Sequence, residues 1–471
     1  MKAIIIYISL FTLCLSAYSQ DSLFYYMELA AKNNPTVLQR YFEYEAALQK
    51  VPQVGALPDP EFTLGVFLQP MELISGNQVA DMRLMQMFPW FGVLKNAKDE
   101  MSLMAKAKYE LFRDAKLQTF YDMQRTWYEL YKTGQDIHVS EKNIQILQTL
   151  ERLALVKFRT ASPGGGGKSS SSMSSGTALP SIGTSVGSSG MQTMGSNSVT
   201  NSGATSNQSP AASMGSTASS SGLADLYRIQ IEIGDLENNI ALLRSLQSTI
   251  IARFNSYLNR PVQTAVAIID TLKPDTLNFS LLAVSDSMLR NNPMLGMLQY
   301  EQQSLDARKK MVTRMGYPMV GLGVNYSLIN KSAMSTSPMN GKDMIMPMVA
   351  LTLPIYRKKY KAMQAEATLM KSATAQNYTA TANSLQTEYY QAIQLYQDAQ
   401  RRIKLYSNQY TLAKSSLDIM LKSFETSGSG LTDVLRIRQQ TLEYEFKQVE
   451  AVVDYNTATA WLRRLGDLEV Y

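Results

Sequence analysis

Two seven-residue segments place an acid and an arginine at the same spacing, and these residue types could act on ions. The segments are Gly222-Leu223-Ala224-Asp225-Leu226-Tyr227-Arg228 and Gly430-Leu431-Thr432-Asp433-Val434-Leu435-Arg436. An acid in the first turn of a helix interacts well with the helix dipole, so helix capping is one interpretation of Asp225 and Asp433, beside a role in ion preference. Arg228 and Arg436 follow one turn later, where they could pair with the aspartates or simply be solvated.

Methionine is the second residue type that could bind a ligand, because the chain contains 27 of them. Thioether sulfurs are soft ligands that suit Cu(I) and, by the same logic, Ag(I). The candidate metal ligands are Met334, Met339 and Met344 around one loop, and Met173, Met191, Met194 and Met214 in a Ser/Gly-rich tract. Methionine is also a common apolar filler, and Met346 and Met348 fit a strand without any ligand. Metal binding therefore stays a hypothesis beside ordinary packing.

Catalytic groups are sparse, and we predict neither an enzyme nor a bound cofactor. His138 is the only histidine, and a single ring without cysteine partners is a weak basis for a zinc site. The glycine run 164–167 lacks the strand and helix that a phosphate-binding loop needs. The formal net charge of +6 is spread among acids without a dense basic block, which argues against nucleic acid as a partner.

The chain is an internal duplication, and this organises every other feature. Further matched segments are Asn33-Asn34-Pro35 with Asn291-Asn292-Pro293, Phe88-Pro89-Trp90 with Leu353-Pro354-Ile355, and 127–131 with 392–396. All matches keep the same order, so one structural unit is used twice. We place the first repeat at 20–260, a linker at 261–280 and the second repeat at 281–471.

The N-terminus is typical of an export signal, which we assign to residues 1–19. Lys2 precedes an apolar stretch, and Ala17-Tyr18-Ser19 forms a small-x-small cleavage site. Cys14, the only cysteine, lies inside this signal. A mature chain without a thiol suits an oxidising compartment. An exported chain of this kind is periplasmic, secreted or inserted in the membrane as a β-barrel.

Each repeat is predicted to contain a helix, two strands, a long helix and a second helix that folds back. The predicted strands are about 60–68 and 80–88, then 318–328 and 345–353; the helices are about 23–51, 92–159 and 223–258, then 281–313, 355–426 and 431–465. Alternation of apolar and polar residues indicates the strands, most clearly at 320–328. A heptad seam from Leu226 to Tyr257 indicates coiled-coil packing. The tract 162–221, rich in Ser, Gly and Met, is expected to be a disordered insertion at a hairpin tip.

These elements predict a mainly α protein with a small β part. Four strands of about nine residues match the span of a membrane β-barrel. Four strands cannot close a barrel, and an open edge in lipid leaves backbone groups unpaired, so several copies must contribute to one barrel. The alternative is a set of soluble strands that cap a helical stalk.

The ordered set of duplicated segments resembles the TolC family of outer-membrane efflux factors over nearly all of the mature chain. The resemblance implies a homotrimer in the Gram-negative outer membrane. Each protomer would give four strands to a trimeric 12-stranded membrane β-barrel and long antiparallel coiled-coil helical hairpins to a periplasmic α-barrel tunnel. It also implies a periplasmic adaptor protein and an inner-membrane pump as partners, outer-membrane lipid around the barrel, and no chemistry by the chain itself.

Two segments look most like the branch of that family that serves heavy-metal pumps of the resistance-nodulation-division type. They are Leu57-Pro58-Asp59-Pro60 and Gln86-Met87-Phe88-Pro89-Trp90-Phe91-Gly92. We therefore expect a metal efflux duct for Cu(I), Ag(I) or divalent cations. A drug or protein export duct of the same fold, and a non-transport envelope stalk, stay as alternatives.

The resemblance also gives the hairpin tips a role. It implies that Asp225, Arg228, Asp433 and Arg436 lie at the periplasmic entrance, where three copies would form rings of charge that set ion preference. The residues expected to dock the adaptor are Gly222, Leu223, Gly428, Gly430 and Leu431. The Ser/Gly/Met tract is not part of the family's basic pattern, so the first tip departs from it.

Overall fold

The computed structural model describes residues 23–160, 221–268, 271–275, 280–426 and 430–468. The predicted signal peptide, Gly428 and nearly all of the Ser/Gly/Met tract lie outside these ranges, so the predictions made for them stay predictions. The described residues are mostly helical, with one four-stranded antiparallel sheet.

The helices are α1 Leu23–Asn33, α2 Pro35–Gly55, α3 Val93–Thr160, α4 Ser221–Tyr257, α5 Leu281–Asn291, α6 Pro293–Met315, α7 Arg357–Glu425 and α8 Leu431–Gly466. The strands are β1 Glu61–Leu73, β2 Gly76–Phe88, β3 Met319–Asn330 and β4 Met344–Thr352. Helix α7 has 69 residues, which gives a length of about 100 Å at the usual rise. Within the described ranges, no helix is long and apolar enough to cross a membrane.

The opening helix of each repeat was predicted to be continuous, and the structure shows this to be wrong. Asn34 separates α1 from α2, because a residue before proline disfavours the helical conformation and Asn34 is extended. Its side chain accepts hydrogen bonds from the amides of Thr36 and Val37 and so caps α2. Asn292 interrupts the second repeat in the same way and accepts from the amide of Met294.

The sheet has the strand order β1-β2-β3-β4, with every neighbouring pair antiparallel. Strand β1 extends five residues beyond the predicted end, to Leu73, because pairing with β2 resumes at Met71 after a register shift. Gly76 at the β1–β2 turn has a φ of +122°, and a Cβ there would collide with the carbonyl oxygen of Asn330. Only glycine fits this turn.

The described residues form two compact units. The first comprises the residues up to Lys142 and those from Asn238 onward, and the second comprises 143–160 and 221–237. Hydrophobic clusters of buried residues lie in the described part of the first unit. One contains Tyr26, Met123, Trp127 and Phe254, and another contains Val284, Met288, Tyr389 and Leu462.

The heptad seam predicted in α4 is present. Every predicted seam position from Leu226 to Tyr257 is buried or half-buried, and Ile229, Ile250 and Phe254 are fully buried. In α8, Leu435 and Leu442 are also buried, seven residues apart. The periodicity therefore identifies the packed face of both helices.

Candidate functional site

The second hairpin tip brings the predicted acid and arginine together. Helix α8 starts after Gly430, which is extended, and Asp433 lies in its first turn. The Arg436 guanidinium lies 3.6 Å from the Asp433 carboxylate, with the two side chains 74% and 51% exposed. Leu431 beside them is buried. Asp433 thus lies where the helix dipole favours an acid, and it also pairs with Arg436. Interaction with the dipole and pairing with the arginine therefore apply to the same residue.

At the first hairpin tip, α4 begins at Ser221, so Gly222 and Leu223 lie inside the helix rather than before it. The structure places the backbone of Asp225 in the first turns of this helix and does not describe its side chain. Arg228 is exposed on the same helix. Within this unit, the Gln230 amide donates to the Glu151 carboxylate across 2.8 Å.

Of the described methionine candidates, Met334 and Met339 lie on the loop between β3 and β4, Met344 begins β4, and all three are exposed. Met334 is 89% exposed, Met339 55% and Met344 47%. Asn340 holds the loop, since its side chain accepts from the Ser332 amide and donates to two carbonyl oxygens. The other four candidates, in the Ser/Gly/Met tract, lie outside the described residues. Among the described His, Cys, Asp and Glu residues, no group of three could hold a metal ion.

One side of the sheet is an exposed apolar surface, here called the apolar face. Cross-strand register places on it Phe62, Leu64 and Val66 of β1, Met82, Leu84, Gln86 and Phe88 of β2, Val320, Leu322, Val324, Tyr326 and Leu328 of β3, and Ile345, Pro347, Val349 and Leu351 of β4. Leu64 is 53% exposed and Val349 is 74% exposed. A contiguous apolar surface of this size marks a contact with lipid or protein.

The other side, here called the polar face, carries the alternate residues of the same strands. They are Glu61, Thr63 and Gly65 of β1, Asp81, Arg83, Met85 and Met87 of β2, Met319, Gly321, Gly323, Asn325 and Ser327 of β3, and Met344, Met346, Met348, Ala350 and Thr352 of β4. The Ser327 hydroxyl donates to the Asp81 carboxylate across 3.2 Å. An antiparallel sheet with charged residues on one face and hydrocarbon on the other is typical of a sheet with one solvated face and one face in an apolar environment.

Aromatic residues lie where the strands meet the helices. Trp90 stacks on Tyr317, with ring centroids 5.5 Å apart and planes 14° apart. Phe91, which follows β2, and Tyr356, which follows β4, are 85% and 84% exposed. Trp90 therefore packs at a corner between a strand and a helix, with exposed aromatic rings beside it.

Ion pairs that the sequence did not reveal connect distant parts of the first unit. The Arg463 guanidinium binds both carboxylate oxygens of Asp275, at 2.5 and 3.1 Å. Arg113 pairs with Glu110 at 2.7 Å and also with Asp467. Burial raises the pKa of Glu110, and the arginine opposes this shift. The partners are up to 354 residues apart, so no local spacing could have predicted them.

Neither a family model nor a curated protein sequence matches this chain. Solved structures do match it. The CusC channel matches at a TM-score of 0.69 and 11% identity, over 96% of this chain and 95% of that one. The Neisseria gonorrhoeae outer-membrane channel MtrE, in its open state, matches at 0.65 and 12% identity, over 94% and 88%. The Vibrio cholerae outer-membrane protein VceC matches at 0.66 and 12% identity, over 94% and 96%.

This chain has the fold of these outer-membrane proteins. The match covers nearly the whole of each chain, so it includes both the sheet and the helical hairpins. The predicted fold class, a mainly α protein built of long helical hairpins with four strands per chain, is confirmed. At 11–12% identity the similarity is one of fold.

Proposed function

We propose that this protein is the outer-membrane exit duct of a tripartite efflux system and performs no chemistry of its own. The observation that carries the proposal is the two-faced sheet. One face is mostly apolar and largely exposed, and the other bears Asp81, Arg83 and Asn325. A strand pattern of this kind suits a wall with lipid on one side and water on the other.

The free edges of the sheet support a closed oligomer. Within the described residues, β1 pairs only with β2, and β4 only with β3. In lipid, the unpaired backbone groups of both edges require partners. A cyclic trimer would join β4 of one protomer to β1 of the next and close a barrel of twelve strands, as the TolC resemblance implies. The helical hairpins would then continue the wall into the periplasm as a tunnel.

The hairpin tips are the proposed contact with a periplasmic adaptor, which would connect the duct to an inner-membrane pump. Gly430 and Leu431 form the start of α8, and the exposed Asp433–Arg436 pair lies beside them. Three copies of Asp433 would form a ring of charge at the entrance. Such a ring favours the passage of cations.

Heavy-metal cations are the proposed substrate class, and two features support this choice. The segments 57–60 and 86–92 resemble the heavy-metal branch of the family. The similarity in fold to CusC is consistent with that branch.

Planar-bilayer recording of the detergent-purified protein tests the duct. We expect discrete single-channel conductance and an oligomer of three chains by light scattering. A monomer recovered without detergent, or a trimer that never conducts, would overturn the proposal in favour of an envelope stalk. A deletion strain tests the substrate class: sensitivity to copper, silver, zinc or cobalt is expected. Sensitivity to dyes or detergents alone would indicate an organic-compound duct instead.

A further inference from the structure

The apolar residues on the polar face of the sheet are of an unusual type. Every large apolar side chain on it is a methionine: Met85 and Met87 on β2, Met319 on β3, and Met344, Met346 and Met348 on β4. The apolar face of the same strands carries leucine, valine, isoleucine, phenylalanine and tyrosine, with Met82 as its one methionine. If methionine were only an apolar filler, it would be expected mainly among the other hydrocarbons.

Two of these thioethers converge over a glycine. A Cβ at Gly321 would lie 2.6 Å from the sulfur of Met87 and 3.6 Å from the sulfur of Met85. Both sulfurs therefore lie within 3.6 Å of one point above the backbone of β3. The missing side chain of Gly321 leaves the space that they occupy.

A third thioether comes from the opposite side of β3. Gly323 pairs with Met85 on one neighbouring strand and with Met348 on the other, so these three residues form one row across the sheet. The strands on either side of β3 are roughly 10 Å apart. Two methionine side chains can reach towards each other across a glycine at that separation. The next row repeats the pattern less closely, with Met346 opposite Asn325.

We propose that Met85, Met87 and Met348 form a binding site for a soft monovalent cation, Cu(I) or Ag(I), on the water side of the sheet. Thioethers select these ions over divalent cations, which prefer nitrogen and oxygen ligands. The site lies near the ends of β2 and β4 that connect to the long helices α3 and α7. An ion that leaves the helical tunnel would therefore meet this site first. The inference deepens the proposed function by naming a soft-metal cargo and the place in the duct that receives it.

Silver binding to the detergent-purified protein tests the site. Ag(I) needs no reductant, and Cys14, the only cysteine, lies in the predicted signal peptide, so the exported protein should bring no thiol to the assay. The test variant is Met85→Leu with Met87→Leu, because leucine keeps the volume and removes the sulfur. Met82→Leu is the matched control, since it lies on the same strand and on the apolar face. Binding is measured by calorimetry in chloride-free buffer, with Zn²⁺ as the comparison ion.

The parent protein and Met82→Leu should bind Ag(I) equally. The double variant should lose at least about tenfold in affinity, since even partners outside the ligand sphere of a metal contribute that much. Met348→Leu should weaken binding as well. Equal binding by the double variant and the parent, or an equal loss in the Met82→Leu control, would overturn the site.

Conductance recorded on the same preparations separates the two proposals. If the parent conducts and the double variant binds Ag(I) as tightly as the parent, the metal site is overturned and the duct is left intact. A protein that never conducts overturns the duct, whatever its silver binding.

Discussion

The side-chain amide of Asn34 donates a hydrogen bond to the carbonyl oxygen of Tyr257, 3.0 Å away and 223 residues along the chain. The same side chain caps α2 through its oxygen. Asn292 makes the corresponding pair of contacts, to the amide of Met294 and to the carbonyl oxygen of Leu465. One residue in each repeat therefore sets the start of a helix and attaches it to the end of the helix that closes the repeat.

Replacement of this asparagine should destabilise each repeat. Asn34→Ala removes a cap, which usually contributes about 1 kcal/mol. It also removes the donor to the part-buried carbonyl of Tyr257, at a further cost of about 1 kcal/mol. Thermal unfolding of the purified protein should show a lower midpoint for Asn34→Ala and for Asn292→Ala. Asn33→Ala, at an exposed neighbouring position, is the control and should leave the midpoint unchanged.

The helical part of the fold could be predicted from the sequence because its signals are local. The seam of α4 depends only on spacings of three and four residues, and burial follows that spacing. The Asn-Asn-Pro segments were recognised as repeats, yet the break at Asn34 was missed. A proline preceded by a capping residue was the signal that could have found it.

The candidate sites depend on pairing between strands, which the sequence does not specify. The alternation in β3 indicated its two faces, but the register that aligns Gly323 with Met85 and Met348 comes from the structure. Met348 was therefore interpreted as a simple strand residue. Pro70 interrupts the pattern of β1, so its last five residues were missed until their pairing partners on β2 were known. The ion pair between Arg113 and Asp467 is equally non-local.

Asp136 should make stability depend on pH. Burial raises its pKa to about 6, Glu450 adds to the shift, and Lys132 opposes it. One of its carboxylate oxygens is buried and has no hydrogen-bond partner among the described residues. In the unfolded chain the Asp136 carboxyl loses its proton near pH 4, whereas in the folded chain it stays protonated up to about pH 6. The contribution of protonated Asp136 to the free energy of unfolding is therefore fully present below pH 4 and is lost as pH rises from 4 to 6.

The Asp136→Asn variant removes the charge and keeps the shape. At pH 7.5 it should be more stable than the parent, by up to about 3 kcal/mol for a two-unit shift. At pH 4 the two proteins should unfold at similar temperatures. Asp235→Asn, at an exposed position, serves as the control. The explanation fails if Asp136→Asn has the same stability relative to the parent at both pH values.

Asp433 should influence ion preference rather than folding. Its pair with Arg436 is exposed, and exposed pairs contribute less than about 1 kcal/mol to stability. In a trimer, Asp433→Asn would remove three charges from the entrance. Reversal potentials in a KCl gradient should then shift towards weaker cation selectivity. Glu443→Gln, which breaks an exposed pair with Lys447 on the same helix, should not change them. If both variants shift the reversal potential equally, Asp433 does not set the ion preference at the entrance.

Adjacent residues on β1 allow a direct test of which side of the sheet meets lipid. Leu64 belongs to the apolar face and Thr63 to the polar face, and both are exposed in the single chain. An arginine on the lipid side of a barrel costs about 2–4 kcal/mol near the bilayer midplane, whereas an arginine that faces water costs little. Leu64→Arg should therefore reduce the amount of protein recovered as trimer in the outer-membrane fraction. Thr63→Arg should be recovered at the parent level and should change only the conductance. The reverse result would indicate that the polar face, which carries the methionines, meets lipid. Equal recovery of both variants would indicate that the sheet does not lie in the bilayer.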